Sequence, residues 1–295
     1  MNMPRKKSRF DYSALKLNRT VGLEIEGYMK TNPRILMEEG GVPYSQIKRD
    51  GSLRNYYWHD NGGMYGVEIV TEPLSELAPL KDVFGKIISK GWSASGRAGL
   101  HIHVDASDFS FKEKLEFVRF AKRIEDVIFL FVKNRRYNNR YCRMIPEGLV
   151  RVAGNSIYHN ARNYNELVDI TYQNTNTNPH DYRDARIDRY QWLNIFRSHY
   201  PTIEFRLFHP IRSAEDGGMF AYFVHNLVNT VKISTPEQLE FIAQTIEQEE
   251  SIEGKARKLL DSIGVPYDIP IINQNAIASI IGKQVRDARG QLVSV

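Results

Sequence analysis

Gly99-Leu-His-Ile-His-Val-Asp105 reads GLHIHVD, with His101, His103 and Asp105 at alternate positions and Leu100, Ile102 and Val104 between them. Successive side chains of an extended chain point to opposite faces, so this period-two pattern predicts a strand with one apolar and one ionisable face. The ionisable face is either a surface turned to water or a site, and the segment alone leaves both open. Other stretches repeat the pattern. Val21-Gly-Leu-Glu-Ile-Glu-Gly27 sets Glu24 and Glu26 on one side; Tyr65-Gly-Val-Glu-Ile-Val-Thr-Glu72 carries Glu68, with Glu72 four residues on; Tyr200-Pro-Thr-Ile-Glu-Phe-Arg-Leu-Phe208 carries Glu204 and Arg206.

Helical patterns lie between and after these strands. Leu77, Leu80, Phe84, Ile87 and Ile88 recur at helical spacing and stop at Gly91, a C′ residue. Ser110-Phe-Lys-Glu113 has capping-box spacing, followed by an apolar stripe of Leu115, Val118, Ala121, Ile124, Ile128 and Phe131. A further helix is predicted over 214–232, and Thr235-Pro-Glu-Gln238 opens another with Pro at its first position. The order strand, strand, helix, strand, helix lacks βαβ regularity, so the expected fold is α+β around a mainly antiparallel sheet. Residues 1–19 are expected to be a mobile basic tail, 20–232 the catalytic domain, and 233–295 a helical extension packed on it. Residues 133–189, rich in Asn, Tyr and Arg, read as long loops with short pieces of structure.

Composition narrows the function classes. The 295 residues are 42% hydrophobic and include 14 Phe and 16 Tyr, too apolar and aromatic for a disordered chain. No apolar run approaches the roughly 20 residues of a membrane span, and no hydrophobic segment follows the basic start, so a cytoplasmic protein without a membrane partner is expected. Cys142 is the single cysteine, which excludes an intrachain disulfide and a cysteine zinc knot. The net charge of +5 comes from 40 basic and 35 acidic residues, with much of the excess in the N-terminal tail and in Lys133-Asn-Arg-Arg-Tyr-Asn-Asn-Arg-Tyr-Cys-Arg143. Such a run suits an anion, whether nucleotide phosphates, an acidic substrate or, less favoured, nucleic acid, and it equally fits a solvated loop.

Water-facing strands prefer Thr, Lys, Ser and Tyr to repeated Glu and His. If the four strands are neighbours, their acids repel one another, and cations among them offset the cost of about several kcal/mol. Carboxylates with one imidazole suit Mg²⁺ or Mn²⁺ better than zinc, whose sites use more histidines. Arg206 shares the face of Glu204 and could stabilise a transferring phosphoryl group.

Taken in order, Gly22-Leu-Glu-Ile-Glu26, Asp50-Gly-Ser-Leu53, Gly66-Val-Glu-Ile-Val-Thr-Glu-Pro-Leu74, Gly99-Leu-His-Ile-His-Val104, and Leu193-Asn194 with Thr202-Ile-Glu-Phe-Arg-Leu-Phe208 resemble the amidoligase family. That family sits in the carboxylate-amine ligase superfamily of glutamine synthetase and glutamate-cysteine ligase. The resemblance, from Thr20 to Val231, implies a curved, mainly antiparallel sheet with a concave catalytic face and helices on the other side. It implies ATP and Mg²⁺ (or Mn²⁺) as cofactors, an acyl-phosphate intermediate, and as partners a small-molecule, peptide or protein carboxylate plus an amine. By position, Glu24, His101 and Glu204 would share one ion and Glu26 and Glu68 another. Glu204 and Arg206 would be catalytic, and Arg206, Arg186 and Arg189 would hold the ATP phosphates. Asp50, Ser52 and Gly99 would shape the substrate pocket. Glu72 and His103 stay unassigned. A metal-dependent nuclease or phosphoesterase, or a non-catalytic nucleic-acid-binding or structural protein on the same fold, are the alternatives.

Overall fold

Apolar alternation through the GLEIEG segment builds the central strand of the sheet. In the computed structural model, which describes residues 12, 15–48, 53, 64–94, 98–162, 166, 190–195, 201–266 and 269–284, strand β1 spans Lys16–Met29. It therefore begins before Thr20, and Lys16 to Arg19, expected as tail, are strand. Its partners are β3 (Tyr65–Thr71) and β4 (Leu74–Glu76) along one edge and β5 (Leu100–Asp105) along the other. With β2 (Ser45–Lys48), β6 (Leu193–Asn194) and β7 (Thr202–Phe208), the order is β2-β3-β1-β5-β7-β6, with β4 off this path. Every pairing in it is antiparallel. The chain is thus an α+β protein with one open antiparallel sheet, and the four ionisable strands expected to be neighbours lie side by side as β3, β1, β5 and β7.

Register decides the two faces. Leu23 pairs with Ile102, Ile25 with Leu100 and with Ile69, and Ile102 with Phe205, which puts fully buried apolar residues of four strands on one face. Each such residue contributes about 1.5–3 kcal/mol by leaving water. Helices α2 (Leu80–Ser89), α3 (Phe111–Phe129) and α5 (Ala214–Ile233) complete that core; α1 (Pro33–Glu38) and α4 (Glu147–Gly154) are shorter connectors. Phe117 of α3 packs on Phe205, and Gly217 of α5 comes close enough to Leu23 and Leu80 that a Cβ there would contact both.

The caps fall where the side chains predict. Ser110 and Glu113 form a reciprocal capping box at the start of α3, and Gly91, at φ +76°, follows the end of α2. Thr235 and Gln238 cap α6 (Pro236–Gln248), with Pro at its first turn. This helix, α7 (Ile252–Ser262) and α8 (Gln274–Gln284) pack with α3, partly through ion pairs from Arg123 to Glu240 and Glu247. Between Lys133 and Asn160 the short pieces of structure expected among the loops are two turns of 3₁₀ helix and α4.

Candidate functional site

The face opposite the core carries the ionisable residues, and the same register that buries Ile25 and Ile102 brings them together. Glu24 pairs with His101, Glu26 with Glu68, and His103 with Glu204. His101 Nδ1 lies 3.0 Å from Glu24 Oε2, and His103 Nε2 lies 3.1 Å from Glu24 Oε1. A carboxylate only accepts, so the ring nitrogens that face it carry the protons. For a neutral His101 this leaves the Nε2 lone pair free to ligate. Burial pushes the Glu24 carboxyl up, and the hydrogen bonds from His101 and His103 outweigh it, holding the group well below the usual carboxylate range.

Glu204 is fixed at both oxygens. Arg206 Nη1 donates to Oε1 at 2.6 Å and Asn194 Nδ2 donates to Oε2 at 2.8 Å, with His103 Nε2 3.8 Å from Oε1. The carboxylate is 1% exposed, so protein groups rather than water set its direction. The guanidinium that orients it has an unsatisfied group of its own: Arg206 Nε is buried and has no hydrogen-bond partner among the described residues. Glu26 accepts from the Gly99 backbone N–H at 2.7 Å and places Oε1 3.6 Å from His101 Nε2.

One ligand atom each from Glu24, His101 and Glu204 lie within 4.8 Å of one another, the one such group of acids, imidazoles or thiols among the described residues. Two carboxylates and one imidazole are a donor set that suits a hard divalent cation such as Mg²⁺ or Mn²⁺. These are the residues that the resemblance assigned to a common ion. Glu26 and Glu68 stand directly opposite each other on β1 and β3, where like charges destabilise a strand pair by about 0.2–1 kcal/mol unless something neutralises them.

Other expected residues fall differently. Glu72 lies beyond the end of β3 and is exposed. Asp50, Ser52, Arg186 and Arg189 lie outside the described residues. His103, unassigned in the sequence, is part of the cluster through Glu24. Asn194 and Arg136 escaped the sequence reading. A two-residue strand shows no periodicity, and Arg136 was one basic residue in a run of several; only Asn194's place in the quoted motif hinted at it.

A sheet with apolar residues under helices on one face, and with carboxylates, imidazoles and a paired arginine converging on the other, defines an α+β protein organised around one ionisable strand face. The model of a family described as "Putative amidoligase enzyme" matches residues 44–210, more than half of the chain, and the chain belongs to that family. The match begins after β1, so Glu24 and Glu26 join the site through strand pairing with β3 and β5. A search of curated proteins finds no match. Among the described residues, no helix is long and apolar enough to cross a membrane.

Proposed function

We propose that the chain is an ATP-dependent carboxylate-amine ligase that uses Mg²⁺ or Mn²⁺, joining a small-molecule, peptide or protein carboxylate to an amine. The observation that carries this reading is the convergence of Glu24, His101 and Glu204 beside an arginine whose buried Nε lacks a partner. The family match supports the ligase class.

In this reaction the substrate carboxylate attacks the γ-phosphorus of ATP and ADP leaves; the amine then attacks the acyl carbon, loses a proton, and phosphate departs as the amide forms. A bound Mg²⁺ or Mn²⁺ supplies charge neutralisation for the triphosphate. Glu24, His101 and Glu204 would hold it. The chain's own residues do the positioning. His103 restrains Glu24; Asn194 and Arg206 restrain Glu204; and the Arg206 Nε–H offers a donor to a phosphoryl oxygen without first breaking a bond to protein.

The test is release of ADP and phosphate by the purified full chain with ATP and Mg²⁺ or Mn²⁺, against pools of carboxylic acids and amines. Amine-dependent ADP release supports the ligase. Absence of ATP binding and turnover with every pool, together with metal-dependent cleavage of DNA or RNA that Glu26→Ala abolishes, replaces it with a phosphoesterase.

A further inference from the structure

Arg136 is 6% exposed, yet no carboxylate lies within ion-pair distance of it among the described residues. Its position on the sheet is fixed through Gly99. The Glu26 N–H donates to Gly99 O at 3.1 Å, which continues the β1–β5 register, so Gly99 and Glu26 share the ionisable face. On that side of Gly99 sits the Arg136 guanidinium: a Cβ added to the glycine would meet Nη2 at 3.0 Å and Nη1 at 3.2 Å. Arg136 Nε donates to Leu207 O at 3.3 Å and Nη2 donates to Arg206 O. These carbonyls lie where the β5–β7 register shifts, between the Leu100–Phe208 and Ile102–Phe205 pairs. The remaining nitrogen, Nη1, makes no hydrogen bond among the described residues.

Two guanidiniums therefore adjoin one strand segment, one with a free Nη1 and the other with a buried, unpartnered Nε. Arg136 donates to the backbone carbonyl of Arg206 itself, which places the two residues side by side. Arg206 is paired with Glu204, but Arg136 is buried with no carboxylate beside it among the described residues, which is costly, and a tetrahedral dianion could accept from both guanidiniums at once. We propose that Arg136 and Arg206 form a phosphoryl subsite, with Arg136 Nη1 and Arg206 Nε donating to oxygens of the same phosphoryl group, that of ATP or of the phosphate released from it. The proposal rests on the ligase reading for its biological ligand, although not for its geometry. It also accounts for Gly99, since a side chain there would crowd the guanidinium and shift it by a few tenths of an ångström.

Inorganic phosphate is the probe, titrated calorimetrically into the full chain in Mg²⁺ buffer without ATP or amine, for wild type, Arg136→Gln, Arg136→Lys and Gly99→Ala. A hydrogen bond to a charged group is lost in Arg136→Gln, so the phosphate Kd should rise about tenfold or more. Arg136→Lys keeps the charge and fold but not the fork, and with Gly99→Ala it should show a smaller rise of severalfold. With ATP as varied substrate, KM should rise in the same order, which a merely structural role in holding β7 does not require. Phosphate affinity within about twofold of wild type in every folded variant overturns the subsite, as does a wild type that binds no phosphate. Arg136-dependent phosphate binding without amine-dependent ADP release sinks the ligase reading alone; an active ligase indifferent to Arg136 sinks the subsite alone.

Discussion

Replacing Glu24 with Gln removes one proposed metal donor at constant side-chain size, and its consequence is read most directly as ion-dependent thermal stability. The folded chain gathers Glu24, His101 and Glu204 so that one ligand atom of each lies within 4.8 Å of the others; an unfolded chain has no such set. An ion bound only to the folded state stabilises it by about 2.7 kcal/mol when its free concentration is ~100 times Kd. At roughly 2–4 °C per kcal/mol for a large domain, Mn²⁺ or Mg²⁺ at that concentration should raise the wild-type Tm by about 5–10 °C. Loss of a supporting partner of a metal ligand already weakens binding ~10–100-fold, so loss of a direct donor is taken at about 100-fold. The same ion concentration then yields about 0.4 kcal/mol, on the order of 1 °C. Glu24→Gln also alters stability without metal, because His101 and His103 hold its charge. Each protein is therefore scanned by calorimetry with the ion and with EDTA, and only the difference is compared. Equal ion-induced shifts in wild type and variant, or no shift of the wild type with either ion, refute the ligand set.

The two histidines should separate in the same assay: His101→Asn loses the ion-induced shift, whereas His103→Asn, which removes a restraint on Glu24 rather than a donor, keeps part of it. Identical losses would contradict that division. Gly27→Ala places a Cβ 2.3 Å from the Trp92 ring, so the indole must move, and overpacking should lower urea stability by about 1–3 kcal/mol; an unchanged midpoint would show the ring to be loosely held. Cys142 is fully buried and its thiol is pushed up to about 12 by burial, so Ellman's reagent near pH 8 should label it only as the chain opens. Rapid stoichiometric labelling of native protein would be the contrary result. Glu125 is held above its usual value of 4.5 by burial, only partly offset by Lys122, the Ile145 N–H and the Trp192 indole. A raised carboxyl contributes stability that is complete below the unfolded value and is lost as pH rises through the folded one. Wild type should therefore lose stability relative to Glu125→Gln as pH rises above the ordinary carboxyl value of 4.5, and a constant gap would refute the shift.

Strand alternation made the ionisable face legible because one apolar residue per pleat step fixes which side each neighbour takes. Leu23 and Ile25 direct Glu24 and Glu26; Ile102 directs His101 and His103; Phe205 directs Glu204 and Arg206. Capping chemistry at Ser110, Thr235 and Gly91 was equally local, and it set the helix ends. What local pattern cannot express is contact at long range. Arg136 reaches β7 some seventy positions away, and Asn194 reaches Glu204 from a strand of two residues. Glu72, left unassigned in the sequence, is exposed for a different reason. The period that carried it continues in sequence past Thr71, but the ladder with β1 passes to β4 after that point, and Thr71 Oγ1 accepts the Leu23 N–H instead.

The opening glycine of GLHIHVD carries as much of the argument as its histidines. On the ionisable face, the glycines two residues before Glu68 and before His101 are sockets. A Cβ on Gly66 would meet the Leu53 side chain at 2.6 Å and its carbonyl oxygen at 2.7 Å; one on Gly99 would meet the Arg136 guanidinium. Leu53 belongs to a small apolar cluster with Tyr28 and Ala98, against which Met64 packs, separate from the main core. That cluster stands at the Tyr28 end of the face, beyond Glu26 and Glu68, and the Arg136 guanidinium stands beside Glu26. A strand surface turned to water has no need of missing side chains, since nothing approaches it. Here two strands omit a side chain where a loop residue must come down onto the sheet, one apolar and one cationic. Glu26, His101 and Glu204 are likewise buried although each sits on the polar side of its strand. The chemistry proposed for this face depends on that burial, because carboxylates open to water would have neither the repulsion nor the low dielectric that makes a cation and a phosphoryl group worth binding.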